Sequence, residues 1–396
     1  MYGAAFVMRP VGGLVLGYIG DKYGRTIALQ LSVVGMGLAA LTLAALPSYD
    51  YGAYKAGLTS TVLMIVIRMV QGLSVGGELV GSMIYSVESA PADQVTLLGA
   101  IPLASALGGM ALGFLVAGII GTILSEEQMY LYGWRIGFGL GVPLIVFAVV
   151  CRRYMHESPV FLEMKKKREA GAVKKELAPL REVFTRDHLP AVLVVFLVTG
   201  LWCLGIWLTQ AWVRIYYTYE LEGTHVTETA GYYINTGVVV VGALAFVPIA
   251  LLADRLEDGR FKVMLAGAVY LAALAPVLLF LIDRGTYPAV VAGQLLLMLG
   301  MAIFGAPMTT WMVGKFPTAT QYTGLALAYN LSQAVYAGPA LLVATGLLDK
   351  TGNVWGIGCY WAAVAAVAGG ALVVGERTSL LPRSSLYVEI GDGFGE

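Results

Sequence analysis

Long apolar runs alternate with short polar segments along the whole chain. Each run is about 18 to 25 residues long, which suits a helix that crosses roughly 30 Å of hydrocarbon better than a membrane-barrel strand of about ten residues. We place eleven such runs, at residues 2–19, 27–47, 59–81, 96–121, 134–151, 190–213, 229–252, 262–281, 288–312, 321–346 and 354–374. The pattern therefore predicts an all-α membrane protein.

Composition supports this fold class and excludes several functions. Hydrophobic residues make up 58% of the 396 positions and charged residues 13%, which is more apolar material than a soluble core could bury. Zero net charge predicts no nucleic-acid partner, and the 3 cysteines and 3 histidines have no metal-ligand or disulfide spacing. The sequence contains no P-loop or hydrolase motif, so we expect neither an enzyme nor a protein with a cofactor.

Basic residues are distributed unevenly among the loops. If the turn at 20–26 lies inside the cell, the loops on that side hold 18 of the 25 Lys and Arg residues, and the loops on the other side hold five. Lys and Arg in short loops stay cytoplasmic, so the linker and the C-terminus are predicted to be cytoplasmic. We expect a multi-pass monomer in the lipid bilayer of a plasma membrane rather than of an organelle.

One long polar segment divides the chain. The predicted parts are an N-terminal helical bundle (1–151), a basic linker (152–189), a C-terminal helical bundle (190–375) and a tail (376–396). Each bundle has a span that ends in an Asp-Lys/Arg…Gly-Arg turn, at 21–25 and 254–260, but a further span precedes that helix only in the second bundle. We therefore expect a six-plus-six plan whose first helix precedes Met1. An eleven-helix protein that starts at Met1 is the alternative.

Four stretches carry a family resemblance: "FVMRPVGGLVLGYIGDKYGR" (6–25), "IRMVQGLSVGGELVGS" (67–82), "HESPVFLEM" (156–164) and "FPTATQYTGLALAYNLSQAVYAGPA" (316–340). They resemble the major facilitator superfamily, specifically its metabolite:proton symporter branch, which includes carriers for α-ketoglutarate, shikimate, citrate, and proline or betaine. The resemblance implies two six-helix bundles that alternate access to a midplane site, and proton-coupled symport of a small organic acid or zwitterionic metabolite. Segments 90–96 and 316–324 lack the arginines usual in the family, which implies fewer charged contacts at the cytoplasmic gate than the family has.

Arg9 is a candidate substrate-binding residue. It lies twelve residues before Asp21, so at about 1.5 Å per residue it is roughly 18 Å from the cytoplasmic boundary. A charge at that depth needs a polar cavity or a partner, and a guanidinium can bind a carboxylate through two hydrogen bonds. The alternative is a structural ion pair with an acidic group on a helix before Met1.

Arg68, Gln71 and Glu78 share one polar face of the third run. Gln71 and Glu78 are seven residues apart, and Arg68 lies some 60 to 80° from them at about 100° per residue. Arg68 and Gln71 are candidates for substrate binding. Glu78, about 15 Å nearer the cytoplasm, is the candidate for proton coupling because a carboxylate there can be protonated. Alternatively, these side chains only hydrogen-bond to neighbouring helices.

The apolar runs of the second bundle hold almost no ionisable side chains. Asn330 and Gln333 are three residues apart on one helical face, where a buried amide needs a partner or a wet cavity. We interpret both as substrate-binding residues, with hydrogen bonding between helices as the alternative. Charge in the first bundle and neutral polar groups in the second favour a small anionic or zwitterionic solute over a sugar.

Two pairs of glycines have the spacing of helix-contact motifs. The pairs are Gly72/Gly76 and Gly109/Gly113, each in one apolar run. Glycines four residues apart allow two helix backbones to approach closely in a membrane. We therefore expect both pairs to lie at contacts between helices rather than in ligand-binding loops.

The two Asp…Arg turns are candidates for gating. The residues concerned are Asp21, Arg25, Asp254 and Arg260. The resemblance implies that Asp21 meets the positive N-terminal end of the helix that starts near Tyr322 and helps to close the cytoplasmic side. Asp254 would meet the helix that starts near Thr96 in the same way. The alternative is that these charges only set the topology.

Two rival functions stay open at this point. The first is an uncoupled facilitator or a sugar-porter-like carrier of the same superfamily. The second is an inactive or sensor-like paralogue or a truncated fragment, which the absent first helix and the missing arginines motivate.

Overall fold

Eleven apolar helices run through the described part of the chain. The computed structural model describes residues 2–47, 57–169, 182–186, 188–221, 224 and 226–377. The helices are α1 (Gly3–Tyr23), α2 (Arg25–Ala44), α3 (Leu58–Glu88), α4 (Ala92–Ile123), α5 (Glu126–Arg153), the linker helix α6 (Pro159–Glu169), α7 (Leu189–Glu220), α8 (Glu228–Arg255), α9 (Gly259–Ile282), α10 (Tyr287–Val313), α11 (Gln321–Thr351) and α12 (Trp355–Arg377). All except α6 are long and apolar enough to cross a membrane. The predicted all-α fold class and its eleven spans are confirmed.

Unusual backbone angles mark the ends of α1 and α8. Gly24, between α1 and α2, has φ 131°, a conformation that only glycine adopts without strain. Asp258, just before α9, has φ 53°. The two turns of similar sequence therefore both end one helix and start the next within a few residues.

The helices of each half pack into one bundle, and two helix pairs make the most extensive contacts between the bundles. We call α1–α5 the first half and α7–α12 the second half. Across the halves, α4 packs along α8 and α1 packs along α11. We call the end of the bundles at which the α1–α2 turn, α6 and the α8–α9 turn lie the linker end. We call the other end of the bundles the opposite end.

Glycines allow α1 and α3 to touch through their backbones. A Cβ at Gly72 would lie 2.1 Å from the carbonyl oxygen of Ala5, and one at Gly12 would lie 2.0 Å from that of Leu73. A Cβ at Gly76 would lie 2.4 Å from the carbonyl oxygen of Arg9. Only glycine fits these positions, so the Gly72/Gly76 contact is confirmed.

The other glycine pair makes no helix contact among the residues that the structure describes. A Cβ at Gly109 or at Gly113 would meet no described atom within 4 Å. Both residues are exposed on the face of α4 that points away from the described helices. The spacing alone is insufficient because a GxxxG motif makes a contact only where a second helix lies against it.

The linker helix α6 is anchored to the linker end of the first half. Its apolar residues Val160, Phe161 and Met164 are buried. The Phe161 ring lies beneath the Arg25 guanidinium, with 5.4 Å between the guanidinium carbon and the ring centroid. The start of the linker is therefore part of the first bundle's packing.

Candidate functional site

An aspartate of the first half caps a helix of the second half. The Asp21 carboxylate accepts hydrogen bonds from the backbone amides of Tyr322 at 3.1 Å and Thr323 at 2.8 Å, and from the Thr323 hydroxyl at 2.6 Å. These amides belong to the first turn of α11, where N–H groups have no partner within the helix and the helix dipole favours an anion. The contact that the resemblance implies for Asp21 is present. We call this set of contacts the Asp21 junction.

Arg25 balances the charge of Asp21 inside this junction. Both side chains are fully buried, and the guanidinium donates to Asp21 at 2.5 Å and to Glu88, at the end of α3, at 3.1 Å. It also donates to the carbonyl oxygen of Thr318 in the second half at 3.1 Å. A buried charge is tolerated when it is paired and hydrogen-bonded, as Arg25 is here. Arg25 therefore connects both halves.

Two acidic residues at this end have roles that sequence reasoning missed. Glu88 accepts a hydrogen bond from the Ser158 hydroxyl at 2.5 Å in addition to those from Arg25. Glu157 accepts hydrogen bonds from the backbone amides of Arg25 at 3.0 Å and Thr26 at 3.3 Å, and so caps α2. For Glu157 the available signal was the "HESP" segment, in which an acid precedes a helix start. The helix that Glu157 caps is α2, however, which starts over 130 residues earlier in the sequence.

A second aspartate makes the reciprocal contact. The Asp254 carboxylate, in the second half, accepts hydrogen bonds from the backbone amides of Thr96 and Leu97 of α4, both at 3.0 Å. Arg260 donates to the Thr96 hydroxyl at 2.9 Å. The contact implied for Asp254 is therefore present too. This Asp254 junction is only half-buried, whereas Asp21 is fully buried.

The candidate proton-coupling residue, Glu78, forms an ion pair. Its carboxylate accepts hydrogen bonds from the Arg152 guanidinium, one of them at 2.9 Å, and from the Ser32 hydroxyl. Arg152 also donates to the carbonyl oxygen of Leu29. The pair is partly buried and connects α2, α3 and α5.

The predicted linker begins at Arg152, but the structure includes this residue in helix α5. Helix α5 continues to Arg153, two residues beyond the predicted end at 151. Basic side chains are favoured in the last turn of a helix because of its partial negative charge. The extra turn places Arg152 inside the first bundle, opposite Glu78.

The Arg9 side chain faces the second half. Its guanidinium carbon lies 4.6 Å from the centroid of the Phe6 ring, and Phe6 meets Trp207 of α7 edge to face at 5.4 Å between centroids. Tyr329 and Cys203 are within electrostatic range of the Arg9 charge. Arg9 thus lies where α1, α7 and α11 meet, among aromatic side chains from both halves.

Arg68 and Gln71 bind each other. The Arg68 guanidinium donates to the Gln71 amide oxygen at 2.9 Å, and its carbon lies 5.5 Å from the centroid of the Phe138 ring on α5. The predicted common face is therefore present for these two residues. Glu78 pairs with Arg152 instead, so the structure does not bring Arg68 and Glu78 together.

The two predicted amides of α11 differ in their surroundings. Asn330 donates to the carbonyl oxygen of Gly76 on α3 at 2.6 Å and to that of Ala326 at 2.8 Å. Both amide hydrogens are used, so the geometry supports the alternative of hydrogen bonding between helices rather than substrate binding. Gln333 donates to the Tyr329 hydroxyl at 3.0 Å, and its buried oxygen has no hydrogen-bond partner among the described residues.

A buried cluster of amides lies in the second half. Residues Leu208–Trp212 of α7 form a π-helical turn, which is wider than an α-helical turn and is common at functional sites. Gln294 donates to the Thr209 carbonyl oxygen at 2.8 Å and to Asn235 at 2.6 Å, and Asn235 donates to the Gln210 carbonyl oxygen at 2.6 Å. Sequence reasoning missed Gln294, whose signal was a lone amide within an apolar run.

The fold and these contacts define a class of protein: a multi-pass helical membrane protein whose two halves meet through reciprocal acid-to-helix contacts. The chain belongs to the Major Facilitator Superfamily, whose sequence pattern matches residues 1–338. It is accordingly a membrane transporter and not an enzyme. The resemblance stated above is confirmed at the level of the family.

Relatives with assigned functions cover most of the chain. The proline/betaine transporter of Escherichia coli (strain K12) is 30% identical over 384 residues, which are 93% of this chain and 72% of that protein. A protein provisionally named proline/betaine transporter in Staphylococcus haemolyticus (strain JCSC1435) is 30% identical over 368 residues, 92% of this chain and 74% of that protein.

Solved structures share the fold. The proton:xylose symporter XylE from E. coli matches with a TM-score of 0.68 and 18% identity, over 94% of this chain and 83% of that chain. The E. coli fucose:proton symporter FucP matches with a TM-score of 0.65 and 15% identity, over 95% of this chain and 90% of that chain. At these identities the likeness concerns the fold alone.

Proposed function

We propose that the protein is a secondary active transporter that carries a small zwitterion or organic acid together with protons. The observation that carries the proposal is the pair of reciprocal junctions, in which Asp21 and Asp254 each cap a helix of the other half. Both junctions lie at the linker end, so this end is closed when they form. Breaking both would let the halves rock apart there, as alternating access requires.

The linker end faces the cytoplasm in this proposal. The uneven distribution of Lys and Arg residues among the loops supports that orientation. The protein would work as a monomer in the lipid bilayer of the plasma membrane. Asp21, Arg25, Asp254 and Arg260 would then act as cytoplasmic gating residues.

The surroundings of Arg9 support a zwitterionic substrate. A guanidinium binds a carboxylate through paired hydrogen bonds, and aromatic faces such as those of Phe6 and Trp207 attract a substituted ammonium group. Relatives from two bacteria that are named proline/betaine transporters support the same class. Glycine betaine and proline are therefore the first solutes to test, with Arg68, Gln71 and Gln333 as further candidates for contact.

Glu78 is the proposed proton-coupling residue. Its carboxylate pairs with Arg152, and loss of this ion pair on protonation would leave Arg152 bonded to the carbonyl oxygen of Leu29. Separation of Arg152 from Glu78 would therefore be the structural change that follows protonation of Glu78. The proton symporters XylE and FucP, which share the fold, support proton coupling as the driving mechanism to test.

The test is uptake of labelled glycine betaine by proteoliposomes with an imposed inward proton gradient. We expect accumulation that stops when a protonophore collapses the gradient. Uptake without dependence on the gradient would favour the uncoupled facilitator, and competition by neutral sugars but not by proline would favour a sugar-porter-like carrier. Absence of uptake of every solute class would favour the inactive or sensor-like paralogue.

A residue-level test separates Arg9 from a general effect of charge. Arg9→Gln should raise the KM for glycine betaine by about tenfold, the order expected for one charged hydrogen bond. The matched control is Arg284→Gln, because Arg284 also stacks on a phenylalanine but is exposed at the opposite end. Equal KM values for the two variants would remove Arg9 from the binding site.

A further inference from the structure

The side chain of Tyr322 crosses from the second half into the first. Tyr322 belongs to the first turn of α11, and it is fully buried. Its hydroxyl donates to the carbonyl oxygen of Gly77 on α3 at 2.6 Å. The ring thus lies between α1 and α3, on the far side of the boundary between the halves.

Glycines create the space that the ring occupies. A Cβ at Gly20 of α1 would lie 2.1 Å from the Tyr322 ring, and a Cβ at Gly81 of α3 would lie 2.0 Å from its hydroxyl oxygen. No other residue type fits either position without moving the ring. We call the space bounded by Gly20, Gly77 and Gly81 the Tyr322 pocket.

Two independent contacts hold Tyr322 to the first half. Its backbone amide donates to Asp21 at 3.1 Å, and its side chain fills the Tyr322 pocket. The Arg25 guanidinium carbon lies 5.8 Å from the ring centroid. Separation of the halves at the linker end must therefore withdraw an aromatic ring from a glycine-lined pocket and break its hydrogen bond, besides breaking the Asp21 junction.

We propose that Tyr322 is a positioning residue for transport: its side chain holds the linker end closed by occupying a pocket in the opposite half. The inference rests on the proposed alternating-access function and adds a side-chain contact that the Asp21 and Asp254 junctions do not include. It implies that Tyr322 leaves its pocket once in every cycle in which the linker end opens.

The second half contains a comparable tyrosine, Tyr270, whose contacts lie within that half. The Tyr270 hydroxyl donates to the carbonyl oxygen of Leu296 at 3.2 Å, and a Cβ at Gly300 would lie 2.6 Å from the Tyr270 ring. Its ring, hydrogen bond and glycine contact all lie within one half. Tyr270 is half-buried, so substitutions there test the loss of a packed ring and its hydrogen bond at a site whose contacts all lie within one half.

The experiment measures the distance between the halves at the linker end. Spin labels at Asp93→Cys and Glu257→Cys, both exposed and on opposite halves, are introduced after the three native cysteines are replaced. Double electron–electron resonance on the full chain in lipid nanodiscs gives the populations of short and long distances. The variants are Tyr322→Ala, Tyr322→Phe and Gly81→Ala, with Tyr270→Ala and Gly300→Ala as controls.

We expect Tyr322→Ala and Gly81→Ala to raise the ratio of long to short distances by at least about tenfold, and Tyr322→Phe by about fivefold because only the hydrogen bond is lost. The controls should leave the ratio unchanged even if they lower thermal stability. An unchanged ratio in Tyr322→Ala, or the same rise in Tyr270→Ala, overturns the proposal. If the alanine variants fail to fold, Tyr322→Phe decides alone.

This readout is independent of the transported solute. If wild-type protein takes up no solute, the proposed function fails, yet the distance ratio still tests Tyr322. If uptake is present and the ratio does not respond to Tyr322, the proposed function stands and the role of Tyr322 is overturned.

Discussion

The Asp21 carboxylate of α1 and the Arg25 guanidinium of α2 lie 2.5 Å apart, and neither side chain is exposed. The same carboxylate caps the N-terminus of α11 in the other half. One buried carboxylate therefore balances both the Arg25 charge and the partial positive charge of that helix end. The arrangement makes closure of the linker end depend on the charge at position 21.

Asp21→Asn should therefore impair the carrier strongly. Removal of one partner from a buried ion pair costs about 3–5 kcal/mol, and the neutral amide offers α11 one acceptor oxygen where the carboxylate uses two. We expect glycine betaine uptake in proteoliposomes to fall by at least tenfold. The control is Asp283→Asn at the opposite end, where Asp283 accepts a hydrogen bond from Tyr216. Wild-type uptake in Asp21→Asn would contradict this prediction.

Asp254→Asn should have the smaller effect of the two. Asp254 caps α4 through two backbone hydrogen bonds but is half-buried. Among the described residues, no buried arginine pairs it with a second carboxylate as Arg25 pairs Asp21 with Glu88. Asparagine keeps one acceptor oxygen but loses the second hydrogen bond to α4, which costs about 1 kcal/mol and corresponds to roughly a fivefold loss of uptake. A side-by-side uptake assay checks the order. The prediction is wrong if Asp254→Asn is the more damaging change.

Glu78 and Arg152 should show strong energetic coupling. Glu78→Gln or Arg152→Gln leaves one partly buried charge unpaired, so each should lower the thermal unfolding temperature, and the double variant should regain much of the loss. Because no carboxylate remains to be protonated, Glu78→Gln and the double variant should lose accumulation driven by the proton gradient and keep solute exchange. Gradient-driven accumulation in the double variant would assign proton coupling to another group.

Gly72→Ala should destabilise the first half. The new Cβ would lie 2.1 Å from the Ala5 carbonyl oxygen, and overpacking of this kind typically costs about 1–3 kcal/mol. Thermal unfolding in detergent measures the loss. Gly113→Ala is the matched control, because no described atom lies within 4 Å of its added Cβ. Equal unfolding temperatures for the two variants would show that α1 and α3 can move apart without penalty.

Many contacts of the candidate site join residues that are distant in sequence. The acid-to-helix contacts of Asp21 and Asp254 could be expected from the family resemblance, because they need only a carboxylate at a turn and a helix start. The Asn330 amide could be expected to need a partner, but its actual partner is the Gly76 carbonyl oxygen, which depends on how α11 packs against α3.

The sequence by itself determined the eleven spans and the two Asp…Arg turns, because apolar run length and loop charge are properties of consecutive residues. The tertiary structure decided which groups meet. It pairs Glu78 with Arg152 and places the Tyr322 ring beside Gly81, across 74 and 241 positions of sequence. It also leaves Gly109 without a helix contact among the described residues. Those outcomes depend on which helix lies beside which, and no pattern of neighbouring residues contains that information.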